Sequence, residues 1–399
     1  MTNKQTIWEY KQLSSLGSFS KGVGISKADI VPQGAPCIRY AEIYTNYNFQ
    51  LSQCLSHIPT EIAQKSTPIA YGNILFAGSG ETAEDIGKSV AYLGKDTAYA
   101  SGDIIIFTLK DKKENALFFS YYLNTAGRQQ LNKLGEGQSI VHIYPEELSK
   151  VFVPHPLAEE QHRIVEVLET WDKAIQLTRK LIEQKELQKK YLMQQLLTGR
   201  TRLKGITTTW KEVKLGSLLK EISQRNKKLT VKQVLSVTNT RGFVLPKDQF
   251  SKEVASADLS NYKVVSHGEF AYNPSRVNVG SIAFLESFEK GILSPMYIVF
   301  KCSSKILSLY FKHWLKTEEF ILKVSRAAQG SVRSTVDFNS LSTIKIKYPT
   351  SISEQRSIAN VLSFCDKEID LLRQKLVKLE EQKKGLMQIL LTGKVRLNW

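Results

Sequence analysis

Residues 160–203 read EQHRIVEVLETWDKAIQLTRKLIEQKELQKKYLMQQLLTGRTRL, and residues 354–397 read EQRSIANVLSFCDKEIDLLRQKLVKLEEQKKGLMQILLTGKVRL. The second stretch follows the first at a constant offset of 194 residues without a gap, and about half of the paired positions are identical. The ends match best. Glu160, Gln161, Ile164, Val167, Leu168, Asp172, Lys173 and Ile175 recur as Glu354, Gln355, Ile358, Val361, Leu362, Asp366, Lys367 and Ile369, and LMQxLLTGxxRL closes both copies. A period this long is not that of a solenoid. It divides the chain into two similar halves, each a variable region followed by one shared element.

The shared element reads as a long helix. In the second copy apolar residues step by fours and threes through Ile358, Leu362, Cys365, Ile369, Leu372, Leu376, Leu379, Leu386 and Leu390, with Lys383 interrupting the seam. The first copy gives Ile164, Leu168, Trp171, Ile175, Ile182, Leu192 and Leu196, with Thr178, Lys185 and Lys189 between them. A spacing of about 3.5 residues is that of a coiled coil, and so narrow a stripe requires a partner helix. The simplest partner is the other copy, in an antiparallel, pseudo-twofold pair of rods each about 60 Å long at about 1.5 Å per residue.

The remaining sequence forms two regions, 1–157 and 204–350, followed by helices over 158–203 and 351–399. In the first region, residues 37–44, 74–77, 103–109 and 151–156 read as strands, 78–82 (GSGET) as a tight glycine-rich loop, and 116–134 as helix. In the second, strands are expected at 234–238, 268–272 and 298–300 and a helix at 308–324. Strands and helices mix without βαβ alternation, so each region is α+β.

Composition narrows the function. A formal net charge of +17 points to a polyanionic partner, with nucleic acid favoured over a membrane surface because the basic residues do not gather on one amphipathic helix. No run of about 18 apolar residues offers a membrane span, and the N-terminus lacks the apolar stretch of a signal peptide. Cys37, Cys54, Cys302 and Cys365 are far apart, which suggests neither a disulfide framework nor a zinc site and fits a reducing cytoplasm. The six histidines show no metal-ligand spacing.

The order variable–helix–variable–helix resembles the DNA-specificity subunit of type I restriction–modification systems. The resemblance spans the whole chain. It rests on EEQHRI and SEQRSI at the helix starts, LMQxLLTG at their ends, GSGET at 78–82, AYNPSRVNVGSIAF at 271–284 and SPMYIVFK at 294–301. It implies two target-recognition domains, each reading one half of a bipartite, asymmetric site in double-stranded DNA, separated by the two helices. It also implies that the helices dock two methyltransferase (modification) subunits, which use S-adenosylmethionine to methylate adenine N6. Motor–nuclease (restriction) subunits, working with ATP and Mg, join for cleavage. The subunit itself holds no cofactor, no metal and no catalytic centre.

The motifs that could carry chemistry of the chain's own are incomplete. Gly87-Lys88-Ser89 ends like a phosphate-binding loop, but Thr82 stands where its first glycine is required. Asn273-Pro274-Ser275-Arg276 lacks the second proline and the aromatic of an adenine-methyltransferase loop, and Glu381 with Lys383 has nuclease-like spacing but lies in a helix. A stand-alone methyltransferase and a coiled-coil adaptor that binds no DNA are therefore the weaker alternatives.

Base reading calls for bidentate donors to base edges, with Lys and Ser/Thr on phosphates. Candidates are Asn273, Ser275, Arg276, Asn278 and Ser281 in one loop and Arg333 and Ser334 in another. In the first region they are Gly78, Ser79, Gly80, Glu81 and Thr82, with Lys21, Arg39 and Tyr40 as companions. Leu192, Met193, Leu386 and Met387 are candidate hydrophobic anchors for the methyltransferase partner, or else residues that close the intramolecular seam.

Overall fold

The computed structural model of the protein describes residues 8–80, 82, 86–135, 141–205, 208–246, 258–329 and 335–397. The fold is α+β. The two long helices run over Ala158–Leu196 and Ile352–Leu390. Among the described residues, no helix is long and apolar enough to cross a membrane.

The chain divides into two compact units, 1–179 with 374–399, and 180–373. Each unit therefore takes one variable region, part of the helix that follows it in sequence and part of the other long helix.

The first unit is built on a five-stranded sheet in the order Gly17–Lys21, Ile104–Leu109, Asn73–Ala77, Ser89–Tyr92, Gln50–Leu51. All its pairings are antiparallel except the last. The continuous apolar run at Ile104–Phe107 is buried on both faces of this sheet. A four-stranded sheet of Ser56–Ile58, Ala35–Ile38, Ala98–Ala100 and Thr67–Ile69 adjoins it. Helix Ala116–Leu123, ALFFSYYL, is apolar all round and buried at every position, with the Asn115 side chain accepting from the backbone N–H groups of Leu117 and Phe118. Ile164 and Leu168 of the first long helix and Met387 and Leu390 of the second, with Leu391 just beyond its end, complete this core.

The second unit has an antiparallel four-stranded sheet in the order Leu219–Ile222, Ile298–Cys302, Phe270–Tyr272, Ile282–Phe284. Helix Ser308–Trp314 is the counterpart of Ala116–Leu123. Its core is closed by Met193 and Leu196 of the first long helix, by Leu197 just beyond its end, and by Ile358 and Leu362 of the second.

Four sequence expectations are corrected here. Residues 37–44 are not one strand: the strand ends at Ile38 and helix Tyr40–Thr45 follows, because the Glu42 carboxylate turns back to accept from the Arg39 N–H (3.1 Å) and caps it. The expected helix over 116–134 breaks between Leu123 and Arg128, and that over 308–324 breaks between Trp314 and Glu318. Residues 78–80, expected within a tight loop over 78–82, are buried chain ending in the short strand Ser79–Gly80, paired with Val141–His142.

The repeated motif acquires a physical reason at each end. In the first unit Glu160 accepts from the Trp8 indole (3.2 Å) and is gripped by Arg396 (2.5 and 2.6 Å), whose guanidinium lies 5.3 Å from the centroid of the same indole. In the second unit Glu354 accepts from the Trp210 indole (3.1 Å) and from Arg202 (2.8 and 2.9 Å), with Arg202 5.5 Å from the Trp210 ring. The neighbouring glutamines bind each long helix to its variable region. Gln161 accepts from Asn115 N–H and donates to Pro156 O, while Gln355 accepts from Leu307 N–H and donates to Pro349 O. All four Glu and Gln residues are buried, so each partner is needed to offset desolvation.

Within each unit the two helical segments run antiparallel. Asp172 meets Lys383 (2.5 Å) and Arg179 meets Glu380 (2.5 Å) in the first; Lys185 meets Glu368 (2.7 Å), Glu186 meets Arg373 (2.5 Å) and Lys189 meets Asp366 in the second. Lys383 does not break the seam. It is 5% exposed, paired with Asp172, and lies 4.4 and 4.9 Å from the ring centroids of Phe49 and Tyr121.

Candidate nucleic-acid interface

In the second unit the candidate loop leaves strand Phe270–Tyr272 and is shaped by its own backbone. Asn273 Oδ1 accepts from the Ser275 N–H (3.0 Å) and Asn273 O from the Arg276 N–H (3.0 Å). A single 3-10 turn, Val277–Val279, follows and ends at Gly280, whose φ of +93° is the left-handed conformation glycine adopts without strain. Val277 is buried and anchors the turn in the core. Ser275 and Arg276 are exposed, and Asn273 and Asn278 are half-buried. No carboxylate pairs with Arg276 among the described residues, which leaves its five-donor fork free for a base edge or phosphate. Ser281 differs from its expected role: it is buried and donates to Val237 O (2.9 Å), so it holds the loop rather than facing a ligand.

A second segment returns beside this loop, with the Val336 N–H donating to Pro274 O (3.0 Å). The expected readers Arg333 and Ser334 lie outside the described residues, as does Glu81 of the first unit.

The first unit shares one backbone hydrogen bond with this arrangement and then departs from it, since Ser79–Gly80 is a strand where Ser275 and Arg276 lie in a turn. Here the Ile143 N–H donates to Gly78 O (3.1 Å), so Gly78 takes the place of Pro274, Ser79 that of Ser275 and Gly80 that of Arg276. Gly78, Ser79 and Gly80 are all buried, which corrects their expected role as direct contacts. Tyr44 donates to Ser79 O (2.9 Å), and the Ser79 hydroxyl lies 3.1 Å from His142 Nδ1. A Cβ on Gly78 would lie 3.0 Å from Asp103 O, and one on Gly80 would lie 3.0 Å from the Tyr44 hydroxyl. Glycine serves close packing at these positions.

Arg39 is likewise engaged in the fold, its guanidinium on Glu42 (3.1 and 3.3 Å), which also accepts from Ser56. Tyr40 packs half-buried against a core cluster containing Ile38 and Ile43. Lys21 and Thr82 are exposed. Sequence reasoning did not single out His142 and Tyr144, which the structure sets beside Lys21 and Ser79. Their only sequence signal is that they follow the glycine-rich stretch at 135–139, much as Thr335 follows 329–334.

The profile of the type I restriction modification DNA specificity domain matches residues 6–187 and 208–381. The chain belongs to that family. It occurs twice here, once per variable region with most of the following helix, and accounts for both loops as parts of DNA-recognition domains. The specificity subunit of the type I restriction enzyme MjaVIII of Methanocaldococcus jannaschii is 25% identical over 366 residues, covering 84% of this chain and 82% of the relative. The S subunit of the type I restriction–modification system of M. genitalium shares the fold with a TM-score of 0.60 at 16% identity over 98% of each chain. The HsdS subunit of Thermoanaerobacter tengcongensis does so with a TM-score of 0.51 at 15% identity, over 99% of this chain and 100% of the other.

The expected partner anchors are reassigned. Met193 is 8% exposed and Met387 6%, each within a unit's core, with Leu192 and Leu386 half-buried against those cores. The seam-closing alternative is the one their burial fits. The exposed large apolar residues of the long helices are others: Leu177, Leu181, Leu187 and Tyr191 on the first, Phe364, Leu371 and Val377 on the second.

Proposed function

We propose that each unit reads one half of a bipartite, asymmetric site in double-stranded DNA, and that the long helices dock two adenine-N6 methyltransferase subunits, with motor–nuclease subunits joining for cleavage. The observation that carries the reading is the shared backbone hydrogen bond, Ile143 to Gly78 and Val336 to Pro274, which marks the equivalent place in the two units from which segments of different conformation and different side chains depart. One scaffold with two side-chain sets recognises two different half-sites, because base discrimination resides in the side chains. Docking falls to the exposed apolar residues of the helices, since Met193 and Met387 are occupied in the cores. S-adenosylmethionine belongs with the methyltransferase, and ATP and Mg with the motor–nuclease. The chain contributes specificity and assembly.

Arg276→Ala tests this reading. In the assembled methyltransferase, mapping of methylated adenines is expected to show relaxed selection at one position of one half-site, a loss of about 1–3 kcal/mol there, with the other half-site intact. Equal weakening on all sequences would place Arg276 on phosphate, and a change in both half-sites would refute independent reading.

A further inference from the structure

The turn that presents Arg276 and a second turn in contact with it each present an exposed apolar side chain. Val279 is 60% exposed and Met296 58%. Within the same 3-10 turn, Val277 is buried and does the anchoring. Val279 stands two residues further on, and its N–H is held on Arg276 O (3.2 Å). Met296 sits at the tip of the turn closed by the Tyr297 N–H on Ser294 O (3.0 Å), and its sulfur lies 4.0 Å from Asn273 Nδ2. Asn273 thus joins the turn that carries Arg276 and Val279 to the turn that carries Met296, each fixed by backbone hydrogen bonds.

We propose that Val279 and Met296 read the 5-methyl group of a thymine in the major groove, beside the base that Arg276 contacts. The inference rests on the DNA-reading function proposed above and adds a base identity to it. The donors of Ser275 and Arg276 on the same turn and the chain's charge of +17 favour a polyanion over an apolar protein partner. Among the groups base pairs expose in the major groove, the thymine methyl is the apolar one and the natural counterpart of Val and Met side chains. Covering it removes apolar surface on both partners from water, whereas laying these side chains against a polar edge would leave that edge unpaired.

The test uses the full chain assembled with its methyltransferase and its mapped DNA site. Each thymine of the half-site read by the second unit is replaced in turn by uracil, which keeps every hydrogen bond and removes only the methyl group. One replacement is expected to weaken binding about three- to tenfold. The variant Val279→Ser/Met296→Gln, which leaves no methyl group at either position, is expected to bind the thymine and uracil sites alike, at the level of the natural protein on uracil. Half-site selectivity that survives while every uracil replacement is silent would overturn the methyl contact and leave the proposed function standing. An undiminished thymine preference in the variant would overturn it as well. So would unstacking of a base step reported by 2-aminopurine that is equal on thymine and uracil sites, since the side chains would then act as a wedge. Absence of any half-site selectivity would remove the proposed function and this inference together.

Discussion

The carboxylate of Asp172 and its repeat, Asp366, each pair with a lysine from the facing helix, but their third neighbour differs. Tyr121 donates to Asp172 at 2.5 Å, and burial together with that bond pushes its phenol well above the ordinary range. The position corresponding to Tyr121 holds His313, as the parallel bonds of Gln161 to Asn115 and Gln355 to Leu307 establish. His313 is fully buried, its Nε2 3.1 Å from Ser363 Oγ and its Nδ1 3.8 Å from Asp366 without a hydrogen bond. Burial pushes its pKa down to about 4 although Asp366 pulls it up, and Lys189, Lys312 and Lys316 add to the depression. The folded state thus resists a proton that the unfolded chain accepts near pH 6.5, so stability falls as pH drops from about 6.5 and this loss is complete below about 4. Urea unfolding of the full chain is expected to show a loss on the order of 2–3 kcal/mol in the second unit over that window. His313→Gln should abolish most of it, and an unchanged profile in that variant would remove His313 as the cause. The sequence presented His313 as an ordinary histidine because its environment is assembled from both long helices and helix Ser308–Trp314.

At the scale of the element, each long helix ends against a tryptophan from a variable region. Gly199 and Gly393 have φ of +72° and +69°. A Cβ on Gly393 would fall 2.9 Å from Trp8, and one on Gly199 3.1 Å from Trp210. The chain must therefore turn left-handed and run close to an indole at one residue, which only glycine accommodates cheaply. Gly393→Ala is expected to destabilise the first unit by about 2–4 kcal/mol, combining backbone strain with the clash. Gly205→Ala, at φ +81° with nothing within 4 Å, isolates the strain alone and should cost about 1–2 kcal/mol. Equal losses in thermal unfolding of the two variants would show that contact with Trp8 contributes nothing. The repeated LLTG was legible as a helix end. Its partner was not, because Trp8 and Trp210 lie in the variable regions outside the repeat.

For the whole molecule, the compact units do not follow the sequence halves. The first unit needs residues 374–399, which bring Met387, Leu390, Leu391 and Arg396 to its core and clamp. The offset of 194 residues puts Met193, Leu196, Leu197 and Arg202, the same residue types, at the end of the first half. A fragment of residues 1–203 therefore carries both a core lacking its last segment and a copy of that segment. It is expected to form a dimer in which each copy completes the other, whereas residues 1–179 alone remain unstable. Sedimentation of the two fragments checks this. A folded, monomeric 1–203 fragment, or a stable 1–179 fragment, would show that the exchanged segment is dispensable.

The sequence by itself determined the repeat, the two long helices, the α+β class of the variable regions and a basic, DNA-directed function. These follow from local periodicity, charge and motif order, which need no knowledge of distant contacts. Only the tertiary structure decided which half of each helix serves which unit, that Glu160 and Glu354 are held by Trp–Arg clamps, and that Gly78, Ser79, Gly80, Ser281, Met193 and Met387 face inward. Glycine, serine and methionine suit a buried turn as well as a binding surface. Their side chains carry too little hydrophobic or charge signal to fix a direction, and packing against segments far away in sequence settles it.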